Sequence, residues 1–292
     1  VTRSRIYACT WSLFPVMGPV ETARFAARNG FQGVEITCDP LDFWPGLVSE
    51  TTLNELIAIG SGEGLGYAVY APSVLNPAAG LPEEQAANDE LIKRAVDVAV
   101  RLASPVLAIH PGVVSELYSL ERHAAPFATT RYDRDRLARG GRERAVERIG
   151  AWAGMLEPAG LTLLVENEVH VRHTTAPTAK ALAAMVEGTG RSNVKVNFDT
   201  GHAFVGGGVA EELAVLKPLI AHVHLNDNAR KVSEHLPLGA GRVDFLSIAE
   251  FLATVDAPLV LEIYAPSAPE AAVLQSRDHI QAVIASAIHL EG

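Results

Sequence analysis

VKVNFDTGHAFVGGGVAEELAVLKPLIAHVHLNDN, residues 194–228, contains one complete structural unit. VKVNFD (194–199) and IAHVHL (220–225) are short, largely apolar runs that end in polar residues, as buried strands do. Residues 209–217 between them carry a helical pattern. Strand, helix and strand in this order form a parallel crossover unit. The alternation extends over the whole chain. Further strands are expected at IYACT (6–10), GVEITC (33–38), GYAVYA (66–71), VLAIH (106–110), LTLLVE (161–166) and LVLEI (259–263). Helices are expected near 19–29, 50–59, 83–103, 134–158, 177–188, 245–255 and 268–289. Eight such units predict one α/β domain over 1–292, a (β/α)8 TIM barrel with extended loops on its C-terminal face. An open doubly wound sheet would also alternate, but it would not require eight units to close.

The remaining sequence fits this plan. Pro19, Pro82 and Pro177 suit helix starts, and Gly30, Gly160 and Gly188 suit positions just past helix ends. The longest connection, residues 113–135, interrupts a simple helical pattern and is expected to contain a rim loop. From Arg131 to Arg148 there are seven arginines and four acidic residues. They read as a solvated helix face with ion pairs, with an anion-binding rim as the alternative.

Composition narrows the function classes. The chain has 292 residues, 48% of them hydrophobic, enough for one large core. Its 34 acidic and 24 basic residues give a formal charge of −10, which disfavours general nucleic-acid binding. Cys9 and Cys38 alone could form a disulfide, so a reducing compartment is expected, with one bridge open if they lie on neighbouring strands. The opening residues show no secretory signal pattern, and no apolar stretch is long enough to span a membrane. A cytoplasmic location follows as the expectation.

A barrel collects its chemistry where strands end. The residues at those positions are His110, Glu166, Asp199, His224 and Glu262. Their oxygen and imidazole donors suit a divalent metal. Glu166 and Glu262 follow buried runs, where an uncompensated charge is costly. Glu168 would share the side of Glu166 if its strand continued. His202 can reach back over the mouth from the turn after Asp199. His222 and His224 face one way on their strand, about 6–7 Å apart in depth. The deeper His222 reads as a packing partner or a support for a ligand. Asp227 is a candidate to orient a histidine, and Arg230 and Lys231 place positive charge in the following loop. Glu234 and His235 lie farther along it, as a polar lid or a further metal site. Arg242 is a candidate for a phosphate contact or a surface ion pair. The GAG of residues 239–241 is not a dinucleotide fingerprint, so no nucleotide cofactor is expected.

Taken together, GFQGVEI, AIHPG, LLVENE, VNFDTGHA, HVHLND, HLPLGAGRVDF and LVLEI, in this order, closely resemble the xylose-isomerase-like TIM-barrel superfamily. That group includes sugar and sugar-phosphate isomerases and epimerases, inosose dehydratases and endonuclease-IV-type DNA repair enzymes. The resemblance implies a metal quartet of Glu166, Asp199, His224 and Glu262. It also implies proton transfer by Glu166 and Glu262, and substrate contacts from His202 and Arg230. Glu168 and His235 are weaker substrate-binding candidates. One divalent ion is implied, manganese favoured, with cobalt, zinc or magnesium as alternatives. The family type also implies a homodimer. The repair branch resembles the chain at further positions: His110, His202 and His235 match its ligand contexts, and Glu234 stands where it uses an aspartate. Tyr70, however, replaces a histidine of that branch.

The activity expected is isomerisation or epimerisation of a small polyhydroxylated ketone or its phosphate, by proton transfer through an enediolate that a metal stabilises. Dehydration of an inosose, cleavage of DNA at abasic sites, and sugar binding without catalysis are the alternatives. A Schiff-base aldolase is disfavoured because Lys195 lies too deep, and no GxSxG hydrolase elbow or CxxC motif occurs.

Overall fold

The computed structural model describes residues 5–123, 131–168 and 171–288. Eight strands close into a parallel barrel in sequence order: β1 (Arg5–Cys9), β2 (Gly33–Thr37), β3 (Gly66–Tyr70), β4 (Val106–Ile109), β5 (Thr162–Glu166), β6 (Val194–Asp199), β7 (Ile220–Leu225) and β8 (Pro258–Leu261). β8 pairs back onto β1, with Arg5 opposite Pro258 and Ala8 opposite Leu261. The chain is therefore a (β/α)8 TIM barrel, and the open sheet is excluded.

Strand parity divides the core. Ile6, Val34, Val69, Leu107, Val165, Phe198, Val223 and Leu261 face outward and pack under the surrounding helices. Tyr7, Cys9, Ala68, Tyr70, Val106, Ala108, Leu164 and Val260 form an inner cluster. Tyr7 plugs the barrel floor. A Cβ on Gly33 would lie 2.4 Å from its Cζ, and one on Gly66 would lie 2.3 Å from its hydroxyl. Glycine at both sites makes room for the ring.

Helix starts follow local chemistry. Pro19 and Pro82 are the first residues of Pro19–Arg28 and Pro82–Arg101. Ser49 caps Glu50–Glu63 by accepting from the Thr52 amide. Three local expectations are corrected. The helix expected from Pro177 begins at Ala179, because Thr178 caps it through the Ala181 amide. Gly188 is that helix's last residue, and Gly190 takes the left-handed turn instead, at φ 65°. The expected rim loop contains a helix, Ser115–His123, and the next helix begins at Arg131. The remainder of that loop, 124–130, lies outside the described residues.

Three arginines of the arginine-rich helix pair with neighbouring helices: Arg134 with Glu121, Arg144 with Glu116 and Arg148 with Asp89. Cys9 and Cys38 are both free and buried. Among the described residues, no helix is long and apolar enough to cross a membrane.

Candidate active site

The inward parity that builds the inner cluster also carries polar groups. Their layer rises from Glu35, Asn197 and His222 to Glu166, Asp199, His224 and Glu262 at the C-terminal mouth. Glu35, Asn197, Asp199, His222 and His224 have no solvent exposure. Burying this much charge is costly unless each group finds a partner or an ion.

His224 sits at the centre. Its Nδ1 lies 3.1 Å from Glu262 Oε2, 3.5 Å from Glu166 Oε1 and 3.9 Å from Asp199 Oδ2. Glu166, Asp199, His224 and Glu262 each present one donor atom, all within 4.8 Å of one another. Glu166 Oε1 and His224 Nδ1 are buried and complete no hydrogen bond among the described residues. Two orphaned donors aimed into a pocket shared by three carboxylates fit a divalent cation.

Three of the four, Glu166, Asp199 and His224, are held from behind. Tyr70 donates its hydroxyl to Glu166 Oε2. Asn226 donates to Asp199 Oδ2 at 2.6 Å, and Asp199 Oδ1 accepts the His202 amide at 2.6 Å. Asp199 is thereby also the cap of the helix Thr200–Gly206. Asn167 bridges β5 and β6, accepting the Asp199 amide and donating to its carbonyl. Glu35 holds the far nitrogen of His224 at 3.0–3.1 Å.

The electrostatics follow this crowding. Burial would raise Glu166, but His224, His202 and His110 outweigh it and hold the carboxyl well below its usual range. Burial and Glu166 raise Asp199. Burial pushes Glu168 up to about 7, with Glu166 and Asp199 adding to it against the pull of His110. Burial lowers His202 to about 4, assisted by His235. For His224, Glu35, Glu262 and Glu166 overcome burial and raise it well above the imidazole range.

The remaining candidates ring the mouth. His110 Nε2 lies 3.5 Å from Glu168 and 3.9 Å from Glu166. β5 ends at Glu166, so Glu168 approaches the mouth from the loop rather than by strand parity. His202 Nδ1 lies 3.3 Å from Glu166, and His235 Nδ1 lies 3.5 Å from Glu262. The His202 and His235 rings meet edge to face at 5.4 Å. His235 and Arg230 both hold left-handed backbone, at φ 49° and 72°, as strained residues at functional sites often do. Arg230 is exposed, and its guanidinium lies over Phe204 at 5.1 Å.

Two residues are placed otherwise than the sequence suggests, and a third, His222, as it suggests. Glu234 accepts the Ala229 amide at 2.7 Å and does not join the four-residue donor group. Among the described residues Asp227 bonds to no histidine; it accepts the amides of Asn228, Gly239, Gly241 and Val243 and so ties down the loop after β7. His222 donates to Glu35 at 2.8 Å, in keeping with a supporting role.

Glu35, Asn167 and Asn226 are not among the sequence candidates, and Tyr70 is there only as a departure from one family branch. Glu35 was detectable, since it is a lone carboxylate inside GVEIT, the same pattern that singled out Glu166 and Glu262. The asparagines have no such signature, because their partners come from other strands.

A closed parallel barrel with acidic and imidazole groups at its C-terminal mouth defines the class. The chain belongs to the xylose isomerase-like TIM barrel family, whose model matches residues 23–283. It is 27% identical over 241 residues to an uncharacterized protein of Methanocaldococcus jannaschii, covering 81% of this chain and 75% of that one. Among solved structures it is similar to a D-tagatose 3-epimerase-like protein, with a TM-score of 0.82 and 21% identity over 99% of this chain and 100% of the other. An L-ribulose 3-epimerase aligns with a TM-score of 0.76 and 19% identity, covering 99% of this chain and 97% of its own.

Proposed function

We propose that the protein is a divalent-metal-dependent isomerase or epimerase of a small ketose or ketose phosphate. The observation that carries this reading is the convergence of Glu166 at the end of β5 and Glu262 just past β8 on one nitrogen of His224, at 3.5 and 3.1 Å. Glu166, Asp199, His224 and Glu262 would hold the cation, manganese favoured, with cobalt, zinc or magnesium as alternatives. When bound, the cation would act as a Lewis acid on a carbonyl and acidify the neighbouring C–H. The epimerases among the similar structures support the substrate class.

The chain's own groups then move the proton. One of Glu166 and Glu262 removes it from the carbon beside the carbonyl. The other returns it to the opposite face for epimerisation, or to the adjacent carbon for aldose–ketose exchange. Their roles exchange with reaction direction. His202, Arg230 and His235 bind substrate oxygens. Glu168, which titrates near neutrality, accepts or donates a hydrogen bond to a substrate hydroxyl. The same reading carries a homodimer, checked by sedimentation at several concentrations, and a cytoplasmic location.

The test compares two substrate classes on one metal-loaded sample. Ketoses, their phosphates and inososes are incubated in deuterated water, and duplex DNA with an abasic site is assayed in parallel. The expected result is metal-dependent sugar conversion with deuterium entering a carbon beside the carbonyl. Glu166→Gln and Glu262→Gln should each slow that exchange by about 10²–10⁴-fold, with folding and metal content checked in the same samples. Net loss of water from the inososes alone would identify a dehydratase. DNA nicking without sugar conversion across a broad panel would overturn the proposal in favour of the repair branch.

A further inference from the structure

Glu35 is fully buried on β2, and its hydrogen-bonding partners are two histidines and a thiol. The two histidine contacts run across the barrel interior to β7, while Cys9 is the register neighbour of Glu35 on β1. Its Oε2 lies 2.8 Å from Nε2 of His222 and 3.1 Å from Nε2 of His224, and its Oε1 lies 3.0 Å from that same His224 nitrogen. Cys9 Sγ approaches Oε1 at 3.7 Å. A carboxylate can only accept, so both imidazoles must present Nε2–H to it. His224 is left with Nδ1, the atom that faces Glu166, Asp199 and Glu262 without a hydrogen bond. As packing alone, a carboxylate here would be a poor choice, since an apolar side chain of similar size carries no desolvation cost.

We infer that Glu35 is the positioning residue of the centre: it fixes the His224 ring and tautomer so that Nδ1 points into the carboxylate cluster, and His222 steadies Glu35 from the layer below. This rests on the metal-dependent reading proposed above. It adds a requirement that the four ligating residues alone do not contain, namely that loss of a group which touches neither substrate nor cation weakens the cation's hold.

The experiment measures metal binding without substrate. Wild type, Glu35→Gln and Glu35→Asp are stripped with a chelator and titrated with Mn2+ by calorimetry. Wild type should take up one ion per chain. Glu35→Gln, which keeps the size but offers one acceptor where the carboxylate offers two, should bind about 10–100-fold more weakly while its metal-free melting temperature stays within a few degrees. Glu35→Asp, which keeps the charge but draws it back, should fall between them. If Glu35→Gln does not fold, nitrogen-15 histidine spectra of zinc-loaded wild type decide: His224 ligated through Nδ1 with a slowly exchanging Nε2–H supports the inference, and ligation through Nε2 overturns it. A folded Glu35→Gln with wild-type affinity also overturns it, as does a second Mn2+ bound through Glu35 and His222. Wild type that binds no Mn2+ removes the metal-dependent reading as well, so the two failures are distinguishable.

Discussion

Tyr70 shows how one residue changes the chemistry of its neighbours. Its ring fills the inner cluster, and its hydroxyl donates to the buried Glu166 carboxylate. Burial and the facing Glu166 push the phenol well above its usual range, so it stays a donor at neutral pH. A hydrogen bond to a charged, buried group is worth about 1.5–3 kcal/mol. Tyr70→Phe should therefore lose about that much stability in urea unfolding at unchanged m, and should slow deuterium exchange about tenfold or more by loosening Glu166. Equal midpoints and equal exchange rates would show that the contact does not matter. Glu166 could be singled out from the sequence because a charge at the end of a buried run needs an explanation. Tyr70 could not, because a tyrosine in a strand is ordinary and its partner lies 96 positions away.

At the scale of the elements, parity gave most of what was legible. The two-residue period of each strand decides which groups face the barrel interior, and eight runs of that kind already imply closure. The loops were less legible because their order depends on distant donors. The segment after β7 is held by four amides converging on Asp227, none of them foreseeable from local pattern. The barrel floor gives a test of packing between strands. Gly66→Ala would place a methyl 2.3 Å from the Tyr7 hydroxyl but 3.2 Å from its Cζ. The single variant should lose about 1–3 kcal/mol. Adding Tyr7→Phe removes the clashing atom, so the double variant should melt higher than Gly66→Ala alone. Gly33→Ala should gain nothing from Tyr7→Phe, because its methyl also meets the Gly66 carbonyl oxygen at 2.5 Å. Additive losses in the Gly66 pair would show that the hydroxyl is not the obstacle.

For the whole molecule, the buried carboxylates link stability to pH, and Glu212 allows this to be measured at a group outside the four-residue donor set. It is buried in the helix Val209–Leu216, where its Oε1 accepts the Gly207 amide at 3.1 Å. Burial raises its carboxyl to about 7, against the lowering pull of Gly207 and Asn167. The sign follows from linkage. An unfolded glutamate titrates near 4.3, so between that value and about 7 the folded chain holds a proton that the unfolded chain has released. Glu212 therefore makes the protein less stable as pH rises through this window, and the full cost is present above it. Glu212→Gln keeps the shape and the acceptor but cannot ionise. Its melting temperature should exceed that of wild type at pH 8, by an amount equivalent to on the order of 3 kcal/mol, and the difference should shrink toward pH 4.5. Comparing the two proteins at each pH cancels the titration of the mouth, which both share. A difference that is constant across the range would mean that Glu212 keeps an ordinary carboxylate pKa in the folded chain.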